Sequence, residues 1–346
     1  MKKEYIIPIF VPHLGCPNNC TFCNQKKISG QTKMVTAKHV EETIEYYLKH
    51  FKDKSKYVEL AFFGGSFTAI EREKQEELLK AVQPYIKDKK INTIRISTRP
   101  DSIDKDILKM LKEYHVKTIE LGVQSMNNYI LARCKRGHTV EDVKKASKLI
   151  RWNGFILGHQ MMVGLPESTK QDEINTAKEL IKLNPKIVRI YPVLVIKETE
   201  LAKEYENGEY TPLAVNQAVE RCKDIVTLFN KKKIEVIRIG LQNTEEITDP
   251  NCETSQVVAG PYHPAFRQLV ESSMWYDSIV NEIKKVNTKV IKVKIITNAE
   301  NINNIVGHKK ENVLKLKEIY EVDVVLEANE KVKPGKFKLE ILKTYE

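Results

Sequence analysis

The stretch IIPIFVPHLGCPNNCTFCNQKK, residues 6–27, places an apolar run directly before a loop carrying Cys16, Cys20 and Cys23. A short, mostly β-branched run that ends at a proline reads as a buried strand. The same pattern recurs downstream in YVELAFF (57–63), INTIRIS (91–97), KTIELGV (117–123), ILGHQMMV (156–163) and KIVRIYPVLVI (186–196). Helical patterns such as AKHVEETIEYYLKHF (37–51) and DILKMLKEY (106–114) lie between these runs. Near-continuous apolar strands separated by helices imply a parallel sheet with helices packed on it. Six such units predict an α/β fold, a partial (β/α)6 barrel, over residues 1–245. Functional loops in such folds sit at the C-terminal ends of the strands. That is where Cys16 to Cys23, Gly64-Gly65-Ser66, Ser97 with Arg99, and Gln124-Ser125 fall.

The pattern changes after about residue 284. Residues 246–284 read as a connecting or lid segment, and 285–346 as a small α+β module of order β-α-α-β-β. Residues 284–346 hold 14 Lys/Arg against 9 Asp/Glu, a net of +5. The whole chain of 346 residues is 41% apolar, enough for one large and one small domain, and carries a net charge of +11. Such a charge favours polyanionic partners. No run of 18 apolar residues exists, so no helix is expected to span a bilayer. Pro8 and Pro12 interrupt the first apolar run, which leads to no small-residue cleavage site, so it reads as a strand rather than a leader. The expected compartment is the cytoplasm, where thiols stay reduced.

Three of the six cysteines fall within eight residues, which in a reduced compartment points to metal binding rather than disulfides. The spacing Cys16-x3-Cys20-x2-Cys23 can serve a [4Fe–4S] cluster, with three thiolates leaving one iron open. An open iron can chelate the amino-acid end of S-adenosylmethionine. Reduction of the sulfonium would then release a 5′-deoxyadenosyl radical. Zinc, with His13 as fourth ligand, is the competing reading of the spacing. Cys134, Cys222 and Cys252 read as structural thiols.

The loop resembles the CxxxCxxC signature of the radical S-adenosylmethionine superfamily. Within it the chain is similar to the radical domain of the catalytic subunit of the Elongator complex, a tRNA-modifying enzyme. The similar segments are FFGGSFTAI (62–70), STRPDSID (97–104), ELGVQSM (120–126), KRGHTVEDV (135–143), HQMMVGLPES (159–168) and VRIYPVLVIKETEL (188–201), in the family's order. The resemblance implies cluster ligands at Cys16, Cys20 and Cys23. It implies S-adenosylmethionine contacts at Gly64, Gly65, Ser66, Ser97, Arg99, Gln124, Ser125 and Met161. Arg136 and Tyr191 are the catalytic candidates, Arg136 beside cofactor or substrate and Tyr191 at the substrate mouth. His159 reads as a hydrogen-bonded core histidine. The chain departs from the family in the short gap between its first two cysteines, in Ser97 where an acidic residue is familiar, and in showing no acetyl-CoA-binding glycine loop after residue 250.

The terminal segment NNIVGHKKENVLKLKEIYEVDVV (303–325) resembles the core of a KH RNA-binding domain, whose Gly-x-x-Gly loop clamps a nucleic-acid backbone. The loop here reads Gly307-His308-Lys309-Lys310, without the second glycine. The expectation is a radical enzyme that modifies RNA, most specifically tRNA, and draws electrons from a flavodoxin or ferredoxin. The alternatives are a non-catalytic metal-containing RNA-binding protein and a radical enzyme acting on a small metabolite.

Overall fold

The computed structural model describes residues 5–11, 20–24, 35–53 and 57–345. Seven strands, β1 (Tyr5–Val11), β2 (Val58–Gly64), β3 (Thr93–Thr98), β4 (Val116–Gln124), β5 (Ile156–Val163), β6 (Ile187–Pro192) and β8 (Glu235–Ile239), form one sheet in that order, every pair parallel. This is a partial (β/α) barrel, with one strand more than the six expected. The helices of this part are α1 (Ala37–His50), α2 (Arg72–Lys87), α3 (Lys105–Glu113), α4 (Asn128–Arg133), α5 (Val140–Trp152), α6 (Lys170–Lys182), α7 (Glu200–Glu206) and α8 (Val215–Lys231).

Local chemistry fixes the helix starts. Thr139 and Thr169 each accept from the backbone N–H three residues on, while Asp142 and Asp172 reach back to the cap N–H. These reciprocal boxes satisfy N–H groups that a helix start leaves unpaired. Alternate strand residues, among them Ile94, Ile96, Ile119, Leu121, Leu157 and Met161, are fully buried. His159 marks their face as the one covered by helices, since its Nε2 lies 2.9 Å from Ser147 Oγ of α5.

The run 186–196 is not one strand. Proline lacks the N–H that a continuing ladder needs, and the chain leaves the sheet after Pro192. It forms β7 (Val195–Ile196), which pairs antiparallel with β9 (Val257–Ala259).

Two compact units are present: residues 1–218 with 225–262, and residues 219–224 with 263–346. The segment 246–284, expected as a connector, contains β9 and α9 (Phe266–Ile283). The second unit adds β10 (Val290–Thr297), α10 (Ile302–Val306), α11 (Glu311–Tyr320), β11 (Asp323–Ala328) and β12 (Phe337–Thr344), the expected β-α-α-β-β order. Its sheet runs β11-β10-β12, with β11 parallel and β12 antiparallel to the central strand. Ile279, Ile283, Val293, Ile295, Ile305 and Leu316 fill its core.

Candidate active site

Cys16 lies outside the described residues, as does His13. Cys20 and Cys23 close a turn in which Cys23 N donates to Cys20 O at 3.0 Å. Two backbone bonds hold this turn: Thr21 N donates to Cys134 O at 3.2 Å, and Leu201 N to Thr21 O at 2.8 Å. Cys20 and Phe22 are buried with Ile130, Cys134, Val193 and Leu201, and Cys23 and Met162 pack against them. Burial pushes the Cys134 thiol up to about 12, so it stays protonated and serves as packing.

The ends of β2, β3 and β4 carry the other expected contacts. Gly64 sits at φ +99°, and a Cβ there would lie 2.6 Å from Val11 O, so only glycine fits beside β1. Gly65 N donates to that same oxygen at 2.9 Å. Ser66 Oγ accepts from Arg99 N at 3.1 Å and lies 2.8 Å from Thr98 Oγ1, so its hydroxyl braces the end of β3. Arg99 is buried, held by Asp101 at 2.8 Å and by Arg136 O at 2.6 Å. Arg136 Nη1 in turn donates to Cys20 Sγ at 3.2 Å, and Nη2 to Gly122 O at 2.6 Å. The KRGH segment therefore bridges the third strand, the fourth strand and the cysteine turn.

Gln124 adopts φ +68° at the end of β4, where the β4–β5 register shifts between Gly122 and Gln124. Its Oε1 is buried with no partner among the described residues. Ser125 Oγ accepts from Asn127 N at 3.2 Å, a local turn, while Asn127 itself caps α4 by accepting from Tyr129 N at 2.9 Å.

Strand alternation separates the two methionines of β5. Met161 is fully buried on the face of His159 and Leu157 and packs with the helices. Gln160 and Met162 point the other way. Met162 packs against the apolar cluster that contains Cys20, and Gln160 Nε2 donates to Ser97 Oγ at 3.3 Å and Glu120 Oε2 at 3.1 Å.

The inner face also holds an ionic ladder that sequence reading missed. Glu59 pairs with Arg95 at 2.6 Å, Arg95 with Glu120 at 2.8 Å, and Glu120 with Arg189 at 2.5 Å. Burial alone would raise the Glu120 carboxyl, but the guanidiniums of Arg189 and Arg95 hold it below the usual carboxylate range. Tyr191, two residues past Arg189, is half-buried, and burial raises its phenol chiefly. The signal was present: each of four apolar strands carries one charged residue at an inward position, which burial tolerates only when charges pair.

The Radical SAM superfamily matches residues 10–180, and the Radical_SAM C-terminal domain matches residues 185–276. An uncharacterised Methanocaldococcus jannaschii protein is 33% identical over 235 residues, covering 65% of this chain and 72% of that protein. The chain belongs to the radical S-adenosylmethionine superfamily. Members are enzymes built on a [4Fe–4S] cluster and S-adenosylmethionine, and this chain is an enzyme with those cofactors. The tRNA uridine(34) acetyltransferase of M. jannaschii is 36% identical over 184 residues, which is 47% of this chain. The chain spans only 34% of that enzyme's length. The Methanocaldococcus infernus Elp3 structure, lacking residues 1–46, aligns with TM-score 0.62 and 26% identity, over 80% of this chain and 63% of that one. The described residues fit the superfamily's cofactors. The Cys20 thiol faces a guanidinium, a glycine cradle admits no Cβ, and a buried amide oxygen awaits a donor.

In the second unit, Gly307 has φ +81°, Lys309 +50° and Lys310 +64°. Lys310, which stands where the second glycine is missing, adopts the left-handed conformation at the start of α11. Lys309 and Lys310 are exposed, and the His308 ring packs edge-on to His263 with centroids 5.0 Å apart. Among the described residues, no helix is long and apolar enough to cross a membrane.

Proposed function

We propose that this chain is a tRNA-directed radical enzyme. In this reading Cys16, Cys20 and Cys23 hold the cluster. Gly64, Gly65, Arg99, Gln124 and Met162 line the S-adenosylmethionine site, with Ser66, Ser97, Ser125 and Met161 supporting its walls. The chemistry those cofactors supply when bound is one-electron cleavage of a carbon–sulfur bond. The protein's own part is to orient and to exclude water. Arg136 Nη1 donates to the Cys20 sulfur at 3.2 Å and so fixes where that sulfur sits. Phe22 and Val193 keep the sulfur dry. Tyr191 stands at the inner face where a substrate would lie. The observation that carries the reading is the Arg136 bridge, which ties a cysteine of the signature to the strand-four turn bearing Gln124.

An RNA target is supported by the tRNA-modifying relatives, by the excess of lysine in the second unit and by the exposed Lys309-Lys310 pair. Such contacts to phosphate would make affinity fall as salt rises. The radical chemistry needs an outside electron donor, for which a flavodoxin or ferredoxin is suited, and a reduced compartment such as the cytoplasm.

The test is anaerobic reconstitution followed by assay for iron, sulfide and 5′-deoxyadenosine, with tRNA present and absent. About four irons per chain, and 5′-deoxyadenosine formation that tRNA stimulates, are expected. One zinc and no cleavage would refute the enzyme reading. Cleavage indifferent to tRNA, with an unchanged modified-nucleoside profile in cells lacking the gene, would move the substrate to a small metabolite.

A further inference from the structure

The loop that presents Gln124 is built against backbone preference. Ser125 N donates to Val123 O at 2.9 Å across Gln124, whose φ is +68°. An i to i+2 bond closed over a residue of positive φ is a γ-turn of the rare, strained kind. Glutamine has a Cβ and gains nothing from that conformation. Something outside the turn must hold it, and the structure has two holders, both from the segment Lys135–Thr139. Arg136 Nη2 takes Gly122 O at 2.6 Å. His138 Nε2 lies 3.2 Å from Val123 O, the carbonyl that closes the γ-turn. A carbonyl can only accept, so Nε2 carries the proton and the ring is a donor. Both carbonyls sit where the β4–β5 register breaks, so side chains replace the sheet partners that the bulge removes. The packing is tight as well. A Cβ on Gly122 would come within 3.2 Å of Gln124 Nε2 and 3.3 Å of Arg136 Nη2.

We propose that His138 is a positioning residue for the cofactor site: its Nε2–H, shared with Ser125 N on Val123 O, holds the γ-turn that aims Gln124 inward. The inference rests on the reading of the Gln124 pocket as the S-adenosylmethionine site. His138 is only 3% exposed, and its Nδ1 has no partner among the described residues. Burial first, then the neighbouring Arg136 and Arg99, push its ring down to about 4. A neutral ring with a single donor, spent on a backbone oxygen, has no proton to trade and acts by geometry alone. The role belongs to the position of one nitrogen, which makes it separable by substitution.

His138→Gln carries an amide nitrogen near the place of Nε2, whereas His138→Asn carries it near Nδ1. Both are polar and smaller than or similar to histidine, so they differ mainly in where the donor sits. The reconstituted full-length chain is to be titrated with S-adenosylmethionine by anaerobic equilibrium dialysis. We expect His138→Gln to bind within about twofold of wild type and His138→Asn about tenfold more weakly, the scale of one lost hydrogen bond. In a Gln124→Ala background the difference between the two should vanish, because the effect travels through Gln124. Equal dissociation constants for the two variants, or a difference that persists without Gln124, would overturn the proposal. Hydrogen exchange of the peptide 120–127, measured on the chain without cofactors, separates this idea from the function it rests on. Faster exchange in His138→Asn than in His138→Gln supports the proposal even if wild type fails to bind S-adenosylmethionine, in which case only the cofactor reading falls. Equal exchange overturns the proposal whatever the cofactor does.

Discussion

Glu120→Gln tests whether the inner ladder is the fixed frame on which the site is mounted. Glu120 accepts from Arg95 Nη1 at 2.8 Å, Arg189 Nε at 2.5 Å, Arg189 Nη2 at 3.1 Å and Gln160 Nε2 at 3.1 Å, with its side chain 1% exposed. Four donors converge on two oxygens. The substitution keeps the shape, removes the charge and turns one acceptor into a donor facing guanidinium N–H groups. Removing one partner of a buried ion pair costs about 3–5 kcal/mol, because the remaining charge stays buried without compensation. Arg95 keeps Glu59, so the uncompensated charge is Arg189, which also stacks 5.0 Å from the Phe63 ring. The expected loss is therefore about 3 kcal/mol, at the low end of that range. Urea unfolding followed by far-ultraviolet circular dichroism should show a lower midpoint at unchanged slope. The double change Glu120→Leu with Arg189→Met should cost less than Glu120→Gln alone, since it removes both charges and leaves the Arg95–Glu59 pair intact. A loss below about 1 kcal/mol for Glu120→Gln, the level of an exposed pair, would refute the buried-ladder argument.

Gly64→Ala should lower the unfolding midpoint and the iron loading together, because a Cβ would meet Val11 O at 2.6 Å and φ +99° adds about 1–2 kcal/mol of backbone strain. Wild-type loading would refute the cradle. Stability should also fall with acidity. The His159 ring is held down to about 3 by burial, so the folded chain resists a proton that the unfolded chain accepts below about 6.5. Stability is then level above neutrality and declines by about 1.4 kcal/mol per pH unit from that group as pH drops toward 3. Glu120, held low by its arginines, acts in the same direction only below its unfolded value of 4.5. His159→Gln should lessen the loss between pH 6.5 and 5 in urea midpoints without abolishing it, because His138, held down to about 4, adds its own share there, and an unchanged slope would count against a buried neutral ring at 159. Cys134→Ser should leave iron per chain unaltered while Cys20→Ser lowers it, and equal losses would make Cys134 a ligand. In the second unit, Asn312 Nδ2 donates to Ser272 O at 2.9 Å, Ile305 O at 3.1 Å and Asn304 O at 3.3 Å. Asn312→Ala should cost about 2 kcal/mol in thermal unfolding by leaving buried carbonyls unpaired.

What could be read from the chain depended on whether one residue or a pattern carried the information. The barrel was legible because apolar runs repeat, and moving any boundary by two residues changes nothing in the inference. The choice between Met161 and Met162 was not. Side chains alternate across a strand, so one step in register exchanges the helix face for the site face. The β4–β5 bulge, which sets Gln124 opposite Met161, has no mark in the sequence beyond Gly122. The charged residues Glu59, Arg95, Glu120 and Arg189 were in view, but each looks like an isolated polar interruption within its own strand. Only the parallel register aligns them into one ladder.

The KRGH segment matters more than its length suggests. A bulge strips two carbonyls of their sheet partners, and buried carbonyls without donors are costly. Arg136 supplies a donor to Gly122 O from fourteen residues downstream, and His138 adds one to Val123 O from fifteen residues downstream, beside Ser125 N. Because Arg136 also reaches Cys20 Sγ and its carbonyl holds Arg99, a change that releases the bulge should be felt at once by the cysteine turn and by the third strand. The site is therefore coupled through strand four. Substitutions at Gly122, Gln124, Arg136 and His138 should prove non-additive, whereas each should add independently to Asn312→Ala, which shares no partner with them.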